Sequence, residues 1–146
     1  MIRKSTSPYS FPVVLVDKKD EGKKTRMCIN YIKLNDITES EHYPMPKIDE
    51  MKDLFLGAEY FTTVDIASGF HHIEVAPEDK KKTAFSTMDG HFEWNRMPFG
   101  LKNAPIIFQR VIANLLQKHE LNNFALNYID DIIIFSKTFE EHLTHL

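Results

Sequence analysis

The sequence predicts an α+β fold built on a largely antiparallel sheet. Three observations carry this. Short runs of β-branched and aromatic residues come in pairs joined by turn residues, as hairpins do. One stretch carries two parallel apolar rows at helical spacing, Ile107-Val111-Leu115 and Phe108-Ile112-Leu116, wide enough to lie against a sheet. Strands and helices do not alternate in regular βαβ order.

The elements follow in chain order. Val13 to Val16 reads as a buried strand, Asp20-Glu21-Gly22-Lys23 as a turn, and Arg26 to Tyr31 as the return strand of a ribbon with a basic tip. His42-Tyr43-Pro44-Met45-Pro46 is extended, because a residue before proline is pushed out of the helical region. Pro46 suits the first turn of a helix with Ile48, Met51 and Phe55 as its stripe and Gly57 as its stop. Tyr60 to Ile66 is a strand by composition, with Asp65 near its end and Ala67-Ser68-Gly69 breaking it. Thr83 to Thr87 and His91 to Met97 flank a Met88-Asp89-Gly90 turn. Asn103 and Pro105 open the long amphipathic helix. Phe124 to Tyr128 and Ile132 to Ser136 form a hairpin around Ile129-Asp130-Asp131, and Thr138 with Glu141 is a capping box for a last helix.

At 146 residues the chain has the length of one domain, and 42% apolar with 27% charged residues excludes disorder, collagen and coiled coil. Its longest apolar runs, Val13–Val16 and Ile132–Phe135, are far shorter than a membrane span, and Met1 to Ser7 lacks an apolar segment of signal-peptide length. The expected setting is therefore intracellular, without a membrane partner. The single cysteine, Cys28, excludes an internal disulfide and a cysteine-based zinc site. Eighteen Lys and Arg against 21 Asp and Glu give a net charge of -3, which argues against a dedicated nucleic-acid coat. The basic residues are clustered, however: Lys18, Lys19, Lys23, Lys24 and Arg26 in one group and Lys80-Lys81-Lys82 in another. That suits an enzyme that meets phosphates at local sites, and equally suits two solvated turns.

The informative oddity is Tyr128-Ile129-Asp130-Asp131-Ile132-Ile133-Ile134-Phe135. Two adjacent carboxylates at the tip of so apolar a hairpin repel one another, and isoleucine is a poor residue for a tight turn. A local rule broken in a well-patterned segment marks a functional site. A divalent cation would relieve the repulsion, and Asp65 at the end of another apolar strand is the natural third ligand. The alternative is that Asp130 and Asp131 are solvated hairpin residues and Asp65 is a helix cap.

Six blocks in order then carry a resemblance. They are Ser7-Pro8-Tyr9-Ser10-Phe11-Pro12-Val13-Val14-Leu15-Val16, Arg26-Met27-Cys28-Ile29-Asn30-Tyr31-Ile32-Lys33-Leu34-Asn35, and Asp65-Ile66-Ala67-Ser68-Gly69-Phe70-His71-His72-Ile73. Lys82-Thr83-Ala84-Phe85, Met97-Pro98-Phe99-Gly100-Leu101-Lys102-Asn103-Ala104-Pro105 with Phe108-Gln109, and Tyr128 through Lys137 complete the set. Over nearly its whole length the chain resembles the reverse transcriptase domain of the Pol polyprotein of gypsy-type LTR retrotransposons.

The resemblance implies one partial reverse transcriptase domain over residues 1–146, with 1–60 mostly fingers and 61–146 mostly a ferredoxin-like palm. Thumb, connection and RNase H regions would be absent. It implies RNA-directed DNA polymerase activity with two Mg²⁺ ions, or Mn²⁺ in their place. Asp65, Asp130 and Asp131 would be catalytic metal ligands, joined by the backbone carbonyl of Ile66. Lys18 and Arg26 would touch the incoming triphosphate. Phe70 would lie under the sugar as a gate against ribose, or serve as plain core, and Phe99 and Gly100 would line the nucleotide pocket. Tyr128 and Gln109 would meet primer or template. The implied partners are an RNA or DNA template with its primer, dNTPs and the remaining Pol domains, in a cytoplasmic particle or the nucleus. The chain departs from the family pattern at Asn30, Ile32 and His72, where Asp, Arg and Gln are usual. His71, His72, His142 and His145 are read as non-ligands, the last two as surface residues. The competing readings are a non-catalytic, decayed palm fragment and a palm-fold nucleotide cyclase or signalling domain, which has no place for the Arg26–Asn35 block.

Overall fold

The computed structural model describes residues 1–17 and 25–146, so the expected turn at 20–23 and the lysines at 18, 19, 23 and 24 lie outside the described residues. The elements are β1 (Ile2–Lys4), β2 (Val13–Asp17), β3 (Thr25–Ile29), α1 (Ile32–Ile37), α2 (Ile48–Leu54), β4 (Tyr60–Asp65), β5 (Phe85–Thr87), β6 (Gly90–Trp94), α3 (Ala104–Lys118), β7 (Ala125–Tyr128), β8 (Asp131–Ser136) and α4 (Phe139–His145). Every pairing between these strands is antiparallel, as the sequence predicts.

The chain divides into two compact units, Met1–Ser40 with Phe70–Ala104 and Glu41–Gly69 with Pro105–Leu146. Residue 60, where mostly fingers is expected to give way to mostly palm, lies inside the second unit. The reason is strand pairing: β4 belongs with β8, far along the chain, and the segment after it returns to the first unit.

In the first unit β1, β6 and β5 form one sheet in that order, and β2 pairs with β3. Ile29, Tyr31, Phe85 and Trp94 make the core, with Phe11, Val13 and Leu34 packed on it. The Tyr31 hydroxyl donates to the Thr83 carbonyl at 2.8 Å, and burial pushes the phenol well above its ordinary range. Thr83 ends a 3₁₀ turn (Lys80–Thr83), so β5 starts two residues later than expected. β6 stops at Trp94 because the following residues bond to the 73–75 segment: Val75 N–H donates to Asn95 O and Met97 N–H to Ile73 O. β1 is exposed throughout and lacks the alternation that would reveal a strand. Helix α1 likewise buries no residue and has no stripe that would predict it. Asn30 Oδ1 accepts the Ile32 N–H at 3.0 Å and so opens it, a bond the family's usual Asp could make equally well.

In the second unit the sheet order is β4-β8-β7, in register from Tyr60↔Ser136 to Asp65↔Asp131 and from Ala125↔Ile134 to Tyr128↔Asp131. Helix α3 buries Phe108, Ile112 and Leu116, whereas Val111 and Leu115 of the other predicted row are 41% and 49% exposed. Phe55, just after α2, packs edge-on against Phe61 and Phe135. The capping box on α4 forms as predicted, with Thr138 Oγ1 accepting the Glu141 N–H. His142 is a correction: it is 5% exposed, not a surface residue. Both ring nitrogens are satisfied by hydroxyls, Nε2 by Thr62 and Nδ1 by Ser136, each at 2.8 Å. His145 shares the Ser136 hydroxyl and stacks on Phe124.

One buried carboxylate in the first unit sets a pH dependence. Glu93, 5% exposed, accepts the Ser5 hydroxyl at 2.5 Å and Arg3 Nε at 2.7 Å. The Ser5 bond, then the Arg3 bond, hold it below the usual carboxylate range despite desolvation. A depressed folded pKa stabilises above the unfolded value and loses that contribution as pH falls through the folded one. Glu93→Gln should therefore cost about 1–3 kcal/mol in urea unfolding at pH 7. The gap to wild type should close as pH falls below about 4.

Candidate metal and nucleotide site

The ladder between β4 and β8 carries no charged residue until its last pair, Val64↔Ile132 and then Asp65↔Asp131. Like charges directly opposite on antiparallel strands are destabilising. The register runs one step further, Ile66 N–H donating to Asp130 O at 3.3 Å, while Ile66 O accepts the Gly69 N–H at 3.0 Å. On the other side of β8 the chain returns through a two-residue turn, Ile129-Asp130.

That turn is strained. Ile129 has φ +54°, the left-handed region, while Asp130 does not have positive φ. This is the pattern of a type II′ turn, whose first central residue is ordinarily glycine. A β-branched residue there is an outlier costing on the order of 1–3 kcal/mol. The misfit visible in the sequence is thus a real backbone feature, and it lies next to Asp130.

Asp130 is strained electrostatically. Its Oδ1 is buried and has no hydrogen-bond partner. Burial first, then the charges of Asp65 and Asp131, raise its pKa above the ordinary carboxylate range. An orphaned carboxylate oxygen beside two further carboxylates is a donor set made for a hard divalent cation. Among the described residues no three acidic, histidine or cysteine side chains are already drawn into a closed metal cage.

The remaining predicted residues are accounted for as follows. Tyr128, on the same hairpin, is 39% exposed. The sequence places Gln109 at primer or template, but its side chain is 1% exposed and bonded to the hairpin, Oε1 to Ile129 N–H and Nε2 to Asn127 O. It can reach a primer only through the turn it holds. Phe70, Phe99 and Gly100 belong to the first unit. Phe70 is 7% exposed with its ring 5.0 Å from that of Phe99, which is 41% exposed. Gly100 has φ +92°, a conformation that needs glycine. Sequence reasoning missed the residue that holds this loop: Asn35 donates to Gly100 O and accepts the Lys102 N–H, both at 2.8 Å. His71 donates from Nδ1 to Met97 O and stacks on Trp94. Lys18 lies outside the described residues, and Arg26 is on β3 with its side chain outside them.

An α+β chain whose antiparallel hairpin sets two adjacent carboxylates beside a third across the ladder has the architecture of a polymerase palm with part of its fingers. The chain belongs to the family of reverse transcriptases (RNA-dependent DNA polymerases), whose profile matches residues 16–146. It is 49% identical over 149 residues to the Retrovirus-related Pol polyprotein from transposon 297 of Drosophila melanogaster, and 40% identical to that from transposon gypsy. Both alignments cover all of this chain and only 14% of the polyprotein. An enzymatic polyprotein of cauliflower mosaic virus is 38% identical, again over the whole chain and 22% of the relative. Among solved structures, the foamy viral protease-reverse transcriptase in complex with double-stranded DNA superposes with a TM-score of 0.81 at 26% identity, covering 99% of this chain and 25% of that one. Its complex with RNA/DNA hybrid gives 0.78 at 25% identity, covering 98% of this chain and 19% of that one. The nucleotide-cyclase alternative gives way to this family, whose domains work with divalent metal ions.

The approach to the site from β4 is tight. A Cβ on Gly69 would stand 2.6 Å from Phe108 Cζ, and Phe108 is 1% exposed. Gly69→Ala should lower stability by about 1–3 kcal/mol in thermal unfolding. Adding Phe108→Leu should return part of that loss, because it removes the atoms the new methyl meets. A double variant no better than the sum of the single ones would contradict the clash.

Proposed function

We propose that this chain forms the catalytic part of an RNA-directed DNA polymerase that adds deoxynucleotides to a primer 3′ end. The observation that carries this reading is the buried, partnerless Oδ1 of Asp130 beside Asp65 and Asp131. Asp65, Asp130, Asp131 and the backbone carbonyl of Ile66 would hold Mg²⁺, two ions in all, with Mn²⁺ able to replace it. When bound, the metal lowers the pKa of the attacking hydroxyl and neutralises charge on the leaving oxygen.

The chain's own residues do the positioning. The strained hairpin fixes Asp130 and Asp131 at the tip of β8, and Tyr128 on the same hairpin is exposed to meet the primer end. Lys18 and Arg26 would neutralise the triphosphate as charge moves to the pyrophosphate. Phe99 and Gly100 would line the nucleotide pocket, with Phe70 beneath the sugar excluding a 2′-hydroxyl. A template with its primer is the nucleic-acid partner, a reading supported by the DNA and RNA/DNA complexes of the foamy viral enzyme. With a net charge of -3, this chain by itself would hold a duplex weakly and in a salt-dependent manner. The other Pol domains of a longer polyprotein would add grip.

Primer extension on a short RNA template with Mg²⁺ and dNTPs tests the reading. Asp130→Asn should lower the rate by about 10²-fold or more, a loss of the size seen when one charge-stabilising group is removed. Asp89→Asn, in an exposed turn of the first unit, should leave it unchanged. Equal extension by wild type and Asp130→Asn would refute the assignment.

A further inference from the structure

We propose that Gln109 is the positioning residue of the carboxylate hairpin: its buried amide holds Ile129 in the left-handed conformation on which the placement of Asp130 depends. This rests on the reading of Asp65, Asp130 and Asp131 as metal ligands and adds a residue that touches neither metal nor substrate.

β7 is an edge strand of the β4-β8-β7 sheet. Along an antiparallel pair, successive residues turn their backbone groups alternately towards the partner and away from it. Phe124 O accepts from Phe135 N–H, so residues 124, 126 and 128 bond inward to β8, and the Asn127 carbonyl faces outward. Beyond it, the Ile129 amide is the first donor of the turn. A buried edge carbonyl and amide left without partners would be costly. Gln109 supplies both partners from α3. Its Oε1 accepts the Ile129 N–H at 2.7 Å, and its Nε2 donates to Asn127 O at 3.1 Å. One side-chain amide thus imitates the peptide group of a fourth strand. Asn127 returns a bond, Nδ2 to the Gln109 backbone carbonyl at 3.1 Å, which locks helix to strand.

The side-chain type matters. At neutral pH a glutamate offers no donor for Asn127 O, asparagine is one carbon short, and leucine leaves both edge groups bare. The bond to Ile129 N–H also falls on the residue that resists its conformation, at φ +54°. Across the sheet the turn is tied by Ile66 N–H to Asp130 O at 3.3 Å, a longer bond. Gln109 is therefore the stronger of the two ties on this turn.

The test uses the ¹⁵N-labelled chain with two readouts, hydrogen exchange of the Ile129 amide and Mn²⁺ binding followed by the loss of the free-ion electron paramagnetic resonance signal. Gln109→Leu should speed Ile129 exchange at least tenfold and weaken Mn²⁺ binding several-fold. Glycine adopts positive φ without penalty, so Gln109→Leu/Ile129→Gly should recover Mn²⁺ affinity to within twofold of wild type. A purely structural glutamine would show no such rescue. Unchanged Ile129 exchange in Gln109→Leu, or no recovery in the double variant, overturns the proposal. If Gln109→Leu does not fold, the double variant decides: folding with Mn²⁺ bound supports the proposal, and failure to fold assigns Gln109 to packing and overturns it. Should wild type and Asp130→Asn bind Mn²⁺ alike, the metal reading fails, and the Ile129 exchange rates alone then decide the role of Gln109.

Discussion

The feature on which the second unit depends is electrostatic. Asp65 and Asp131 are register partners at the end of a ladder with no other charged residue, and Asp130 stands next to them with one oxygen buried and unpaired. No arrangement of three carboxylates lowers its energy this way without an opposite charge. The fold tolerates it because the hairpin is held by paired and packed elements: β4 and β8 pair over six residues, β7 closes the other side, and α3 buries Phe108, Ile112 and Leu116. Stability from the packed strands and helix offsets the cost of holding these like charges together.

The backbone adds a second constraint of the same kind. Ile129 adopts a conformation that glycine would take freely. An isoleucine forced into it holds the turn in one shape only as long as its surroundings insist. The ties on either side, Ile66 to Asp130 and Gln109 to Ile129, join the turn to β4 and to α3. Charge repulsion and backbone strain thus meet within three residues, and the elements of the second unit are the frame that contains both.

Much of this was legible in the sequence, for reasons that differ by element. The β7-β8 hairpin and α3 announce themselves by their apolar pattern, β4 by its strand-forming composition, and α4 by a capping pair that forms as read. The carboxylates stand out because they break the pattern of the strand that carries them. β1 and α1 escaped because neither has a buried stripe: β1 is paired but exposed throughout, and α1 buries no residue fully. His142 escaped because its burial depends on hydroxyls of Thr62 and Ser136, one of them 80 residues away. The role of Gln109 requires knowing which edge of β7 faces α3, and that is a fact of tertiary structure. The two compact units depend on the same kind of fact, the pairing of β4 with β8 far along the chain.

The central claim is that Asp65, Asp130 and Asp131 share a divalent cation. Anomalous scattering from crystals of the chain soaked in Mn²⁺ tests it most directly. The account predicts an anomalous peak at about 2.1–2.3 Å from carboxylate oxygens of Asp130 and at least one of its two neighbours, as hard divalent cations require. It also predicts that this peak is missing in Asp130→Asn. Mn²⁺ found only at other carboxylates, or a peak of equal height in the variant, would contradict it.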